Sequence, residues 1–195
     1  MPPAHWIRGA AALLIFALAA AQVPAQRTPQ EVADLALLMA AEAGRDGLVA
    51  YALENGANPD ARDARRGELT PLMLAAANGH ISAASRLLDA GAEVNARAAN
   101  SWTALMFAAR FDHHDIVGVL LERGADPDLA ESERGNTALI EAASRSNELS
   151  VRRLIEGGAD PNKTATDGFS ALMGAAAART GLSTAVELIG AGARV

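Results

Sequence analysis

One phrase of fixed grammar returns four times along this chain: hydroxyl, small residue, Leu, apolar, any, Ala, Ala. The copies are Thr70-Pro71-Leu72-Met73-Leu74-Ala75-Ala76, Thr103-Ala104-Leu105-Met106-Phe107-Ala108-Ala109, Thr137-Ala138-Leu139-Ile140-Glu141-Ala142-Ala143 and Ser170-Ala171-Leu172-Met173-Gly174-Ala175-Ala176. Their starts lie 33, 34 and 33 residues apart. A unit this short cannot bury its own apolar face, so the period implies a stack of units rather than one globular core. A stack works by offering an extended face, and function is therefore sought on a surface.

Each phrase begins where a helix should. The hydroxyl can accept one of the N–H groups that a helix start leaves unpaired, and Pro71 suits the first turn. Leu72, Ala75 and Ala76 share a side at i, i+3 and i+4, and the paired alanines let a neighbouring helix approach closely. After a break at Asn78-Gly79-His80, a second apolar segment runs from Ile81 to Leu88 and stops at Gly91, a residue suited to a left-handed helix end. A second phrase follows each helix pair: Gly56-Ala57-Asn58-Pro59-Asp60, Gly91-Ala92-Glu93-Val94-Asn95, Gly124-Ala125-Asp126-Pro127-Asp128 and Gly158-Ala159-Asp160-Pro161-Asn162, with a short copy from Gly192 to Val195. Such density of Gly, Pro, Asp and Asn marks turns. The Thr-to-Gly spacing is 21 in three units and 22 in the last, where Arg179-Thr180 falls between the helices. The Gly-to-Thr spacing varies as 14, 12, 13 and 12, so length changes sit in loops.

These phrases resemble ankyrin repeats, whose unit is a turn or β-hairpin followed by two antiparallel helices. The resemblance implies an all-α ankyrin-repeat solenoid of about five helix–turn–helix units joined by turn or β-hairpin loops. The domain is expected over 26–195, with repeats near 30–62, 67–99, 100–133, 134–166 and 167–195. Ankyrin repeats commonly carry His after Thr-Pro-Leu, where its ring ties neighbouring turns. This chain has Met73, Met106, Ile140 and Met173 there, so apolar packing is expected to replace the polar tie. The first repeat keeps Leu37, Ala40, Ala41, Gly44 and Gly56 in phase without an opening Thr, and reads as one cap. The last repeat reads as the other.

Ahead of the array, His5 and Arg8 precede an apolar run from Ala10 to Ala21. As a helix it would span only about 18 Å, against a bilayer core of roughly 30 Å. A basic start, a short apolar centre and small residues after it read as a signal peptide over 1–25, cleaved after Ala21 or Ala25. An uncleaved anchor or a buried helix is the competing reading. Richness in Ala, Gly and Arg suggests a bacterial source and hence export to the periplasm, with secretion the alternative.

Net charge is −6 with acids and bases interspersed, which leaves no electrostatic footprint for nucleic acid. The absence of cysteine excludes disulfides, thiolate metal sites and a Cys nucleophile. His113-His114-Asp115 is the one cluster resembling a metal or acid–base site, but adjacent helical residues point about 100° apart. Asp60, Asp126, Asp128 and Asp160 fall in turns, where Asp pairs with local backbone. No catalytic, cofactor-binding or metal site is expected, and the protein is not read as an enzyme.

The remaining surface is the side of each first helix away from the paired alanines, which in ankyrin repeats lines the concave groove. It carries Leu74, Ala77 and Asn78, then Phe107, Arg110 and Phe111, then Glu141, Ser144 and Arg145, then Gly174, Ala177 and Ala178. Leu69, Trp102, Asn136 and Phe169 stand just before the opening hydroxyls and face the same way. Aromatics and Arg anchor interfaces, so the expected partner-binding patch is Trp102, Phe107, Arg110 and Phe111, with Arg145 and Phe169 alongside. The competing reading has Trp102 and Phe107 packing between repeats. The expected function is a non-catalytic scaffold or adaptor that binds another protein, with an inhibitor or immunity protein as the alternative. The acidic charge favours a basic partner. Nucleic acid, stable membrane insertion after signal cleavage and oligomerisation are not expected.

Overall fold

The structure, a computed structural model, describes residues 28–194. The signal peptide expected over 1–25 and both of its cleavage points lie outside the described residues. Among the described residues, ten α-helices form five antiparallel pairs: α1 (Pro29–Glu42) with α2 (Asp46–Glu54), α3 (Pro71–Ala77) with α4 (Ile81–Asp89), α5 (Ala104–Arg110) with α6 (His114–Glu122), α7 (Ala138–Ala143) with α8 (Glu148–Glu156), and α9 (Ala171–Ala177) with α10 (Leu182–Gly190). First helices stack on first helices and second on second. One continuous apolar core of Ala and Leu runs through the stack. Among the described residues there are no strands. Only isolated bridges at the bases of three loops mark the hairpin fingers that precede α3, α7 and α9.

The hydroxyl caps explain the helix starts. Thr70, Thr103, Thr137 and Ser170 accept from the backbone N–H three residues on, at 3.2–3.4 Å. Each such cap is typically worth about 1 kcal/mol. The first repeat departs from its expected start. Counting back from Ala40-Ala41, the cap position falls at Leu35, yet α1 begins seven residues earlier. Its cap is Thr28, whose Oγ1 accepts from Glu31 N while the Glu31 carboxylate accepts from Thr28 N. The first helix therefore carries about two extra turns.

Polar ties between repeats are present after all. Apolar packing at Met73, Met106 and Ile140 is found, all fully buried, but not at Met173, which is 55% exposed because no described repeat covers it, and hydrogen bonds cross the same boundaries from other positions. At the start of the second helices, His80 Nε2 bonds the Glu42 carbonyl at 3.0 Å and His113 Nε2 the Ala77 carbonyl at 3.2 Å. Asn147 Nδ2 donates to the Ala109 and Arg110 carbonyls. These rings and amides satisfy carbonyls that a helix end leaves unpaired. A second ladder runs through the turns. The side chains of Asp60, Asn95, Asp128 and Asn162 accept from the backbone N–H of Glu93, Asp126, Asp160 and Arg194, each in the next turn, and Asp34 of α1 accepts from Asn58 N in the first turn. The turn carboxylates thus bind backbone both locally and one repeat away.

Candidate functional site

The concave side is shaped by the finger before α7, which is one residue longer than its two neighbours. Glu131 holds it in place. Its side chain is buried and its carboxylate accepts from the N–H groups of Glu133, Arg134 and Asn136 at 2.7–3.1 Å. Desolvation pushes this carboxyl upward, but the backbone N–H donors outweigh it and hold it below the usual carboxylate value. The tip is further tied across the stack, where Ser132 N donates to the Asn100 carbonyl and Thr166 N to the Arg134 carbonyl.

Between this finger and α5 lies a pocket of about 410 Å³ lined by Asn100, Trp102, Phe107, Arg110 and Phe111 from the preceding finger and α5, and by Glu131, Glu133, Arg134, Asn136 and Glu141 from this finger and α7. The Trp102 and Phe107 rings meet at 5.0 Å, tilted by 49°. The Arg110 guanidinium lies 5.3 Å from the centre of the Trp102 ring and pairs with Glu141 at 2.8 Å. The other Glu141 oxygen accepts from Asn136 Nδ2 at 2.9 Å. Arg110 is thereby fixed by a charged hydrogen bond and a cation–π contact at once, each strengthened by partial burial. Phe111 is different: it caps α5, is 52% exposed and projects beside the pocket.

Four of the six residues expected in the patch are thus gathered around one pocket. Arg145 is exposed at the turn after α7, and Phe169 is half-buried at the base of the next finger; neither lines the pocket. Trp102, Phe107 and Phe169 also pack against the core, so part of each ring serves stability. At the position equivalent to Glu141 the fifth repeat has Gly174, where a β-carbon would lie 2.5 Å from Ser144 Oγ. Asn100 of the preceding finger and Glu131, Glu133 and Arg134 of this one were not anticipated. The extra residue between Gly124 and Thr137 was the one signal that this finger differs.

A second concavity, about 720 Å³, lies between α1 and the finger before α3. Leu35, Leu38, Met39 and Leu74 form its floor, and the Glu42–Arg66 ion pair at 2.6 Å crosses its edge. Leu35, Leu38 and Met39 are an i, i+3, i+4 stripe in the sequence, overlooked because the first repeat was read only as a cap. At His113-His114-Asp115 the side chains do not converge. His113 is spent on Ala77, and His114 lies 3.7 Å from Asp115. Among the described residues no group of three or more His, Cys, Asp or Glu could hold a metal ion, and no helix is long and apolar enough to cross a membrane.

A family profile for three ankyrin repeats matches residues 37–131, and a single ankyrin repeat profile matches residues 134–165. The chain belongs to the ankyrin-repeat family. Ankyrin repeats of the human ankyrin repeat and KH domain-containing protein 1 are 41% identical over 104 residues, 52% of this chain and 4% of that protein. A putative ankyrin repeat-containing protein of Treponema pallidum is 35% identical over 95 residues, 49% of this chain and 32% of its own length. The bovine mitochondrial disaggregase is 45% identical over 74 residues, 38% of this chain and 10% of that protein. The chain spans a third or less of each of these relatives. Ankyrin repeats are generally non-catalytic modules for binding other proteins, and this array is a protein-interaction scaffold.

Proposed function

We propose that this ankyrin array is a non-catalytic adaptor that acts in an exported compartment and captures another protein on its concave face, centred on Trp102, Phe107, Arg110 and Phe111. The observation that carries the reading is the preorganised pocket. Arg110, Glu141 and Asn136 already satisfy one another across it, while Phe111 stands exposed at its side. The Trp102, Phe107 and Phe111 rings can pack against the stem of an incoming side chain while the polar groups of the opposite wall meet its polar end, which is the chemistry of an interface anchor. Glu133 at the finger and the overall charge of −6 suit a partner with basic residues near that anchor. Export rests on the apolar run from Ala10 to Ala21.

The test is a photo-crosslinking side chain placed at Phe111 in the native compartment, compared with one placed on the convex side at Leu149, which is also exposed. One discrete adduct from position 111 that is lost in Arg110→Ala supports the reading. Equal labelling from both positions, or an adduct indifferent to Arg110→Ala, rejects it. If the captured protein is an enzyme that loses activity when bound, the adaptor is an inhibitor.

A further inference from the structure

The first helix and the finger before α3 both exceed the pattern that the other repeats keep. α1 carries about two extra turns. The finger closes with a bond from Asp63 N to the Leu69 carbonyl, across a wider loop than its counterparts, where Ala98 N reaches Trp102, Glu131 N reaches Asn136 and Ala165 N reaches Phe169. Its surplus is folded into a 3-10 turn over Ala64–Arg66. These two additions are the walls of the 720 Å³ groove. The packing of repeat on repeat does not account for its floor. Leu38, Ala61 and Leu74 form a small apolar cluster apart from the core that runs through the stack, and Leu35 and Met39 beside them stay partly exposed.

The charged side chains along this groove are engaged, with one exception. The Glu31 carboxylate accepts from Thr28 N and Asp34 accepts from Asn58 N, while Glu42 and Asp63 hold Arg66 at 2.6 and 3.4 Å. Arg62 reaches across to the Arg97 carbonyl at 2.7 Å. Arg65 is exposed, and it bonds only through its backbone N–H, to Asp63. Its guanidinium has no partner among the described residues.

We propose that this groove is a second docking site, and that its occupant is an amphipathic helical segment of another protein with an acidic residue flanking its apolar stripe. The site shares no lining residue with the pocket of Trp102 and Phe111. Leu35, Leu38 and Met39 stand at i, i+3 and i+4, a ridge of the kind that a second helix packs against. Charge selects the class of segment. A basic one would set its cation among Arg62, Arg65 and Arg66 while the carboxylates of the groove are already bonded. An acidic one finds the Arg65 guanidinium free to donate a two-pronged pair of bonds to its carboxylate. With the basic partner proposed for the other pocket, the array would hold two segments of opposite charge side by side.

Fluorescence anisotropy of the full chain with a labelled peptide of about 15 residues, long enough to hold some helix, tests the proposal. The peptide carries Leu at i, i+3, i+4 and i+7 with Glu on one flank, and its counterpart carries Lys in place of each Glu. Saturable binding of the Glu peptide is expected, roughly tenfold tighter than of the Lys peptide. Arg65→Ala should weaken it about fivefold. Arg65→Glu should reverse the preference between the two peptides, an outcome that loss of fold cannot imitate. Leu35→Gln with Met39→Gln should abolish binding of both. The absence of saturable binding, equal affinity for the two peptides, or a preference unmoved by Arg65→Glu overturns the proposal. So does a mass above 20.1 kDa at the assay concentration that returns to that value in Leu35→Gln with Met39→Gln, which would give the groove to a second copy of the chain.

Discussion

Four turn positions between first and second helices share a left-handed backbone: Gly44, Gly79, Asp112 and Ser146, with φ between 58° and 76°. Two are glycine for a reason beyond φ. A β-carbon at Gly44 would lie 2.5 Å from the His80 ring, and one at Gly79 would lie 2.8 Å from the His113 ring. Where the following repeat has Asn147 or Gly181 in place of His, the turn residue carries a side chain. Gly79→Ala should therefore cost more than the roughly 1 kcal/mol of an unfavourable φ alone, measured by urea denaturation. Paired with His113→Asn, it should recover the steric part. Ser146→Gly should do the reverse. Its hydroxyl is buried without a hydrogen-bond partner, so removing it along with the β-carbon is expected to stabilise by about 1 kcal/mol. At this scale the sequence was most legible where the interaction is local. The Thr and Ser caps act within three residues of themselves, and their spacing announced them. Glu141 was assigned to the groove from its helical phase, but its bonds to Arg110 and Asn136 join residues brought together by stacking, and no local pattern contains them.

The finger before α7 is the element that turns a row of groove residues into a pocket. Its shape depends on Glu131, whose depressed pKa gives the pH response a sign. The carboxylate's contribution to stability is complete above its unfolded value of about 4.3 and disappears as pH falls through its lower folded value. Glu131→Gln should flatten the acid side of the melting-temperature profile while changing little of its slope above pH 6. Partner affinity should fall as well, because the finger wall loses its charged acceptor. Phe111→Ala should leave stability within about 0.5 kcal/mol and weaken partner binding at least tenfold, or about 1.4 kcal/mol, by titration calorimetry. Trp102→Ala should weaken binding and also lower stability by roughly 2 kcal/mol, because one side of the indole packs on the core. A melting curve insensitive to Trp102→Ala would show that this packing contributes little. The sequence marked these aromatics as a group but not their division of labour, which depends on how far each ring sinks between neighbouring repeats.

Over the whole molecule, the repeats are bound by core packing, the His and Asn ties, and the turn ladder. The fifth repeat has the least of the first two, while Asn162 keeps the turn ladder intact there with bonds to Arg194 N and the Gly192 carbonyl. Gly181 supplies no side-chain tie at its boundary, and one face of α9 and α10 is open. Amide exchange of this chain should therefore be fastest in α9 and α10 and slowest in α5 to α8. The period shows that units stack, but not that α1 starts two turns early at Thr28. That start lies outside the repeated phrase, on which a repeating motif is silent. The coupling between turn glycines and the following histidines has one more consequence, for the order of the units. A copy of the third repeat moved ahead of one that begins its second helix with His80 or His113 would press the Asp112 side chain into an imidazole. Units that share one consensus are therefore not interchangeable modules. Each carries on its trailing edge a mark of the neighbour it was built to receive, and a shuffled array of the same five units would be expected to lose stability at the boundaries where those marks disagree.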